Sequence, residues 1–112
     1  MTDTPLQIAG RQFTSRLMVG TGKFPSNESM KKALEASGAQ IVTVALRRAD
    51  LTGSHDPAAN ILDFIDPEKS LLLPNTSGAT TAEEAVRLAR LAAAAGLPNW
   101  IKLEIHPDAQ YL

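Results

Sequence analysis

The chain has 112 residues, 44% of them hydrophobic, which is enough for one domain with its own core. Its 11 Lys+Arg and 12 Asp+Glu give a formal net charge of −1 with no basic block or acidic tail, so neither nucleic acid nor an anionic membrane surface is an expected partner. No cysteine is present, which excludes disulfides, a thiol nucleophile and a thiolate zinc site, and no apolar run approaches the roughly 18 residues of a membrane span or a signal-like core, so the expected location is the cytoplasm.

Residues 6–11 and 12–15 read as a short hairpin-like lead-in, and residues 16–20 as a first buried strand. Gly20-Thr21-Gly22-Lys23 turns the chain toward an amphipathic helix. That helix starts near Ser26 or Asn27, carries Met30, Ala33, Leu34 and Ser37 on one face, and ends at Gly38. The continuous apolar run of residues 41–46 suits a strand covered on both faces of a parallel sheet. Arg47-Arg48 ends it, and residues 49–60, which include Gly53, Ser54, Asp56 and Pro57, read as a loop. Residues 61–65 read as a helical turn before Asp66-Pro67. Residues 70–73 form a third strand that stops at Pro74, and residues 75–78 form the turn after it. Thr81 and Glu84 have the spacing of a capping box, and Ala82, Ala85, Val86, Ala89 and Ala92 continue one apolar face as far as Gly96 and Pro98. Residues 100–105 supply a fourth strand.

The order β-α-β-(α)-β-α-β implies parallel strands, right-handed crossovers and an α/β architecture. An open doubly wound sheet and a (β/α)8 barrel both fit. A barrel takes about 250 residues, so four strands amount to roughly half of one. The fourth strand also lacks the covering helix that follows the earlier ones, so the chain reads as cut off.

The chemistry concentrates in the fourth strand. Lys102 and Glu104, at i and i+2, share one face, while Ile101, Leu103 and Ile105 share the other. An amine attacks a ketone only when neutral, and a lysine near its reference value of about 10.4 is almost wholly protonated at neutral pH. Burial favours the neutral form, and a carboxylate alongside can carry the protons that carbinolamine dehydration and enolisation require. The plainer reading of Lys-x-Glu is a solvated ion pair. Other motifs carry less. Gly20-Thr21-Gly22-Lys23 lacks the Walker spacing and the third glycine of a dinucleotide loop, and reads as a tight turn. Arg47-Arg48 could hold an anion through guanidinium forks but is left out of the site. Residues 75–78 read first as a helix-initiating loop. His55 and His106 lie on separate loops without further ligands, so no metal site is assigned, nor any cofactor site. Trp100 alternates with Lys102 and is expected to pack in a barrel interior, with a contact to substrate as the sharper alternative.

Taken in order, Arg16-Leu17-Met18-Val19-Gly20-Thr21-Gly22-Lys23, then Ile41-Val42-Thr43-Val44-Ala45-Leu46-Arg47-Arg48, then Leu73-Pro74-Asn75-Thr76-Ser77-Gly78 and Asn99-Trp100-Ile101-Lys102-Leu103-Glu104 closely resemble the bacterial thiazole synthases of thiamine biosynthesis. The resemblance implies a (β/α)8 TIM barrel, with residues 1–112 as the N-terminal part of that single domain and roughly its first four β/α units. It implies a transferase whose lysine forms a Schiff base with 1-deoxy-D-xylulose 5-phosphate. Sulfur arrives as a thiocarboxylate on a ubiquitin-like sulfur carrier protein, and dehydroglycine supplies the remaining carbon and nitrogen. Lys102 matches the lysine and Glu104 a glutamate implicated in proton transfer. The family's phosphate-holding loops and a further acidic residue fall outside these residues, so the chain alone is expected to be inactive and to oligomerise, misfold or belong to a longer product; a homo-oligomer is expected. The rival class is a non-catalytic flavodoxin-like α/β domain or interaction module in which Lys102 and Glu104 merely pair at a sheet edge.

Overall fold

A computed structural model describes residues 3–48, 60–108 and 110. The loop expected over residues 49–60 therefore lies, except for Asn60, outside the described residues, as does His55. The chain opens with an antiparallel hairpin of β1 (Leu6–Ile8) and β2 (Arg11–Phe13). Its turn falls at Ala9-Gly10, both with positive φ (50° and 77°). Such two-residue turns match the twist of the strands they join, so the reversal comes two residues before the expected break.

Behind the hairpin a parallel sheet is built from β3 (Met18–Gly20), β4 (Ile41–Ala45) and β5 (Leu71–Asn75) in that order. Helix α1 (Asn27–Ser37) connects β3 to β4. The Ser26 side chain accepts from the Ser29 amide at its start, and Gly38 closes it in the left-handed region at φ 67°, as the sequence predicts. Helix α2 (Ala82–Ala94) follows β5. Thr81 caps it through the Glu84 amide at 3.1 Å. Glu84 reaches back past the cap residue to the amide and hydroxyl of Thr80, at 2.7 and 3.1 Å. Those two bonds, with Arg87 nearby, hold the Glu84 carboxyl below its ordinary range.

Alternation along β4 divides the core between the two faces of the sheet. Val42 and Val44 face α1 and pack with Met30, Leu34, Ile61 and Ile65. Ile41 faces the other way and packs with Leu71 and Phe13, with Leu6, Ile8, Leu73 and Trp100 around them. The hairpin thus lies over the face of the sheet opposite α1, at the N-terminal ends of its strands. Phe13 meets Trp100 edge to face, with ring centroids 6.1 Å apart, so Trp100 packs against the hairpin while staying only partly buried.

Three strand assignments need correction. The buried strand expected over residues 16–20 covers only Met18–Gly20, and among the described residues it is an edge strand with Leu17 and Met18 about half exposed, paired on one side with β4 alone. The third strand does not stop at Pro74 but runs through it to Asn75. Proline lacks only the amide donor, and the Pro74 carbonyl points away from β4 to accept the Lys102 amide at 2.8 Å. The expected fourth strand is not a strand: residues 100–106 run beside β5, but a single parallel bridge, Asn75 with Lys102, joins them. The cause is local. A further bridge on the N-terminal side would need an amide at residue 74, and proline has none. On the other side the Thr76 side chain takes over from the backbone: its hydroxyl accepts the Glu104 amide and donates to the Glu104 carbonyl, both at 2.8 Å.

Candidate active site

Three attachments to β5 and the loop after it place the segment that carries Lys102. The Lys102 amide and carbonyl bond to Pro74 and Thr76, at 2.8 and 3.3 Å. Glu104 is held at both backbone groups by the Thr76 hydroxyl, and Thr76 itself is wholly buried. The His106 amide donates to the Ala79 carbonyl at 2.8 Å. Extended backbone held at every second residue sends alternate side chains the same way. Lys102 and Glu104 accordingly meet, Nζ to Oε1, at 3.3 Å.

The same face carries more polar groups at the C-terminal ends of the strands. Asn75 donates through its side-chain amide to the Thr43 hydroxyl at 2.9 Å and accepts the Ser77 amide at 3.2 Å. Thr21 donates to the Thr43 carbonyl at 3.0 Å. Gly20-Thr21-Gly22-Lys23 and residues 75–78 therefore act first as strand-end turns, with Thr21, Asn75 and Thr76 occupied in binding neighbouring chain. The side chain of Arg47 lies against Gly78, where a Cβ would come within 3.4 Å of Arg47 Cδ.

One expectation about the pair is not met among the described residues. The Lys102 side chain is 50% exposed and that of Glu104 23%, so the described residues do not bury the amine as the imine chemistry was expected to require. Ile101, Leu103 and Ile105, on the outer face of the segment, are exposed too, Leu103 by 66%. A cavity of about 630 Å³ lies elsewhere, between the end of α1 and residues 63–70. It opens at the N-terminal ends of the strands, and neither Lys102 nor Glu104 lines it. Among the described residues no three His, Asp or Glu side chains gather into a metal-binding group, and no helix is long and apolar enough to cross a membrane. Sequence reasoning missed two residues that matter here. Thr76 reads as an ordinary turn residue, and nothing in its spacing marks the hydroxyl that clamps Glu104. His106 reads from the sequence only as a potential metal ligand, although it follows Lys102 and Glu104 at the next same-face position.

Residues 7–112 match the family described as thiazole biosynthesis protein ThiG. A thiazole synthase of Syntrophobacter fumaroxidans is 62% identical over 110 residues, covering 98% of this chain and 42% of that protein. Thiazole synthase 2 of Syntrophotalea carbinolica is 65% identical over 107 residues, covering 96% of this chain and 40% of that protein. The Aquifex aeolicus thiazole synthase is 51% identical over 113 residues, with 100% and 41% covered. The chain spans about two-fifths of the length of these curated relatives. A parallel α/β sheet with Lys102 and Glu104 paired beside its last strand, and a family match across nearly the whole chain, lead to one conclusion: the chain belongs to the thiazole biosynthesis protein ThiG family.

Proposed function

We propose that these residues carry the imine-forming half of a thiazole synthase site, with Lys102 as the nucleophile and Glu104 as its proton-transfer partner. The observation that carries the reading is the 3.3 Å contact of Lys102 Nζ with Glu104 Oε1 on a backbone fixed by Thr76. The proposed substrate is 1-deoxy-D-xylulose 5-phosphate, whose ketone Lys102 captures as a Schiff base. Dehydroglycine and the thiocarboxylate of a ubiquitin-like sulfur carrier protein are the proposed co-reactants in a transferase reaction in the cytoplasm.

Mechanistically, the carboxylate takes a proton from the Lys102 ammonium and frees the lone pair that attacks the ketone. It passes that proton to the former ketone oxygen and then carries a second one there from the same nitrogen, so that the oxygen leaves as water and a protonated imine and an ionised carboxylate remain. The imine then draws electrons from the adjacent carbon, whose proton the same carboxylate removes. The proposed architecture is a (β/α)8 barrel, with β3, β4, β5 and the segment around Lys102 in its first four β/α units and residues 1–112 as the N-terminal part of the domain. The half-exposed Lys102 and the exposed Ile101, Leu103 and Ile105 support a need for further covering elements. We propose accordingly that residues 1–112 alone do not turn over substrate and that the complete protein is a homo-oligomer.

Borohydride trapping tests the reading on the longest natural chain that carries these residues. Incubation with the ketose phosphate and borohydride is expected to add the reduced ketose to the peptide containing Lys102, and Lys102→Arg to abolish the adduct. An adduct on another lysine, or none in the parent protein, refutes it. The rival flavodoxin-like reading predicts no adduct.

A further inference from the structure

The face that carries Lys102 and Glu104 continues to His106, to which the chemistry above gives no task. Glu104 divides its two oxygens between two neighbours: Oε1 lies 3.3 Å from Lys102 Nζ, and Oε2 lies 4.0 Å from His106 Nε2. Backbone bonds set the position of His106, since its amide is bound to Ala79. Its side chain is 43% exposed against 23% for Glu104, so the imidazole meets water more freely than the carboxylate beside it. Among the described residues, further ionisable groups lie on its own segment and on the loop to which it is bonded. Asp108, on the same segment, accepts the Gln110 amide at 2.9 Å. Arg47, Glu84 and Arg87 line a cleft with Ser77, Gly78 and Ala79, the loop to which His106 is bonded. Among the described residues, the ion-pair partners of Glu104 are Lys102 and His106.

We infer that His106 is a positioning residue that holds the Glu104 carboxylate toward Lys102 and exchanges protons between that carboxylate and solvent. The inference rests on the imine reading. Formation of the imine returns Glu104 to its ionised state, because both protons it takes from the lysine nitrogen leave with the departing water. Removal of a proton from the carbon next to the imine does not. The C–H bond breaks, its electron pair moves into the enamine, and Glu104 is left protonated. Before the carboxylate can act again, that proton passes from Oε2 to Nε2 of a neutral imidazole and on to water. The gap of 4.0 Å must shorten to about 2.9 Å for the transfer, a side-chain rotation of the kind that substrate binding commonly brings about.

The test uses the longest natural chain carrying these residues, with 1-deoxy-D-xylulose 5-phosphate in deuterated water. It follows both the borohydride adduct on Lys102 and deuterium entering the carbon next to the ketone. His106→Gln is expected to keep the adduct yield and the KM for exchange while lowering kcat for exchange by about 100-fold, the usual reach of a positioned proton-transfer group. In His106→Ala, added imidazole is expected to restore much of the lost exchange, which a merely structural role would not allow. Unchanged exchange in both variants, or a loss that imidazole leaves untouched, overturns the inference while the adduct keeps the imine reading intact. Absence of any adduct on Lys102 in the parent protein overturns that reading and the inference with it.

Discussion

Replacing Thr76 by valine keeps the shape of the side chain but removes the hydroxyl that satisfies two backbone groups of Glu104, each at 2.8 Å. A typical hydrogen bond contributes about 1 kcal/mol net, whereas a buried group left without a partner costs about 1–3 kcal/mol. The Thr76 end is wholly buried, but Glu104 is partly exposed and water can reach some of the loss, so the expected destabilisation is about 2–3 kcal/mol for the two bonds together. Thr76→Ser keeps the hydroxyl and loses one methyl, at a cost of about 1 kcal/mol. Urea unfolding of the complete protein measures both values, and amide hydrogen exchange at Glu104 reads the clamp directly, with protection falling in the valine variant and surviving in the serine variant. Capture of the ketose by Lys102 should fall about 10- to 100-fold in Thr76→Val, since small displacements of a catalytic group are costly. A valine variant within about 0.5 kcal/mol of the parent, with Glu104 protection unchanged, would refute the reasoning.

Gly78→Ala is expected to cost about 1–2 kcal/mol in thermal or urea unfolding, because φ there is 96° and the new methyl would meet Arg47. Glu84→Gln should lower stability at neutral pH and make no difference in strong acid. The Glu84 carboxyl is held below its ordinary value of 4.5 in the fold, so its contribution is full above that value and is lost as the pH falls through the lower folded value. Denaturation midpoints of parent and variant at neutral pH and in acid check this. Phe13→Ala should destabilise the protein by about 3–5 kcal/mol, since the ring is buried against Ile41, Leu71 and Trp100; a loss under about 1 kcal/mol would mean that the hairpin does not pack on the sheet.

Much of the α/β order was legible because its signals are local. The caps at Ser26 and Thr81, the helix end at Gly38 and the β-branched run of residues 41–46 each depend on neighbours within a turn or a strand, and the structure follows them closely, with β4 ending at Ala45. The errors arose where a partner distant in sequence decides the outcome. Pro74 reads as a strand end until its carbonyl is seen to serve Lys102 while its missing amide faces the same neighbour. Residues 100–105 alternate as a strand would, yet Pro74 on one side and the Thr76 hydroxyl on the other restrict pairing to a single bridge. The same-face relation of Lys102 and Glu104 followed from period-two spacing alone, and the 3.3 Å contact agrees with it. His106 obeys that spacing as well, but only the 4.0 Å approach of its Nε2 to Glu104, a relation of the folded chain, marks it.

The hairpin has a kinetic consequence. Phe13 and Trp100 pack over the N-terminal ends of the strands, whereas the Lys102 side chain, beside the C-terminal end of β5, stays half exposed. On the proposed imine reading, a ketone would therefore approach Lys102 from the C-terminal rim and not past the hairpin, and release by the same rim would be sensitive to substitutions in residues 75–78 but not in residues 6–13.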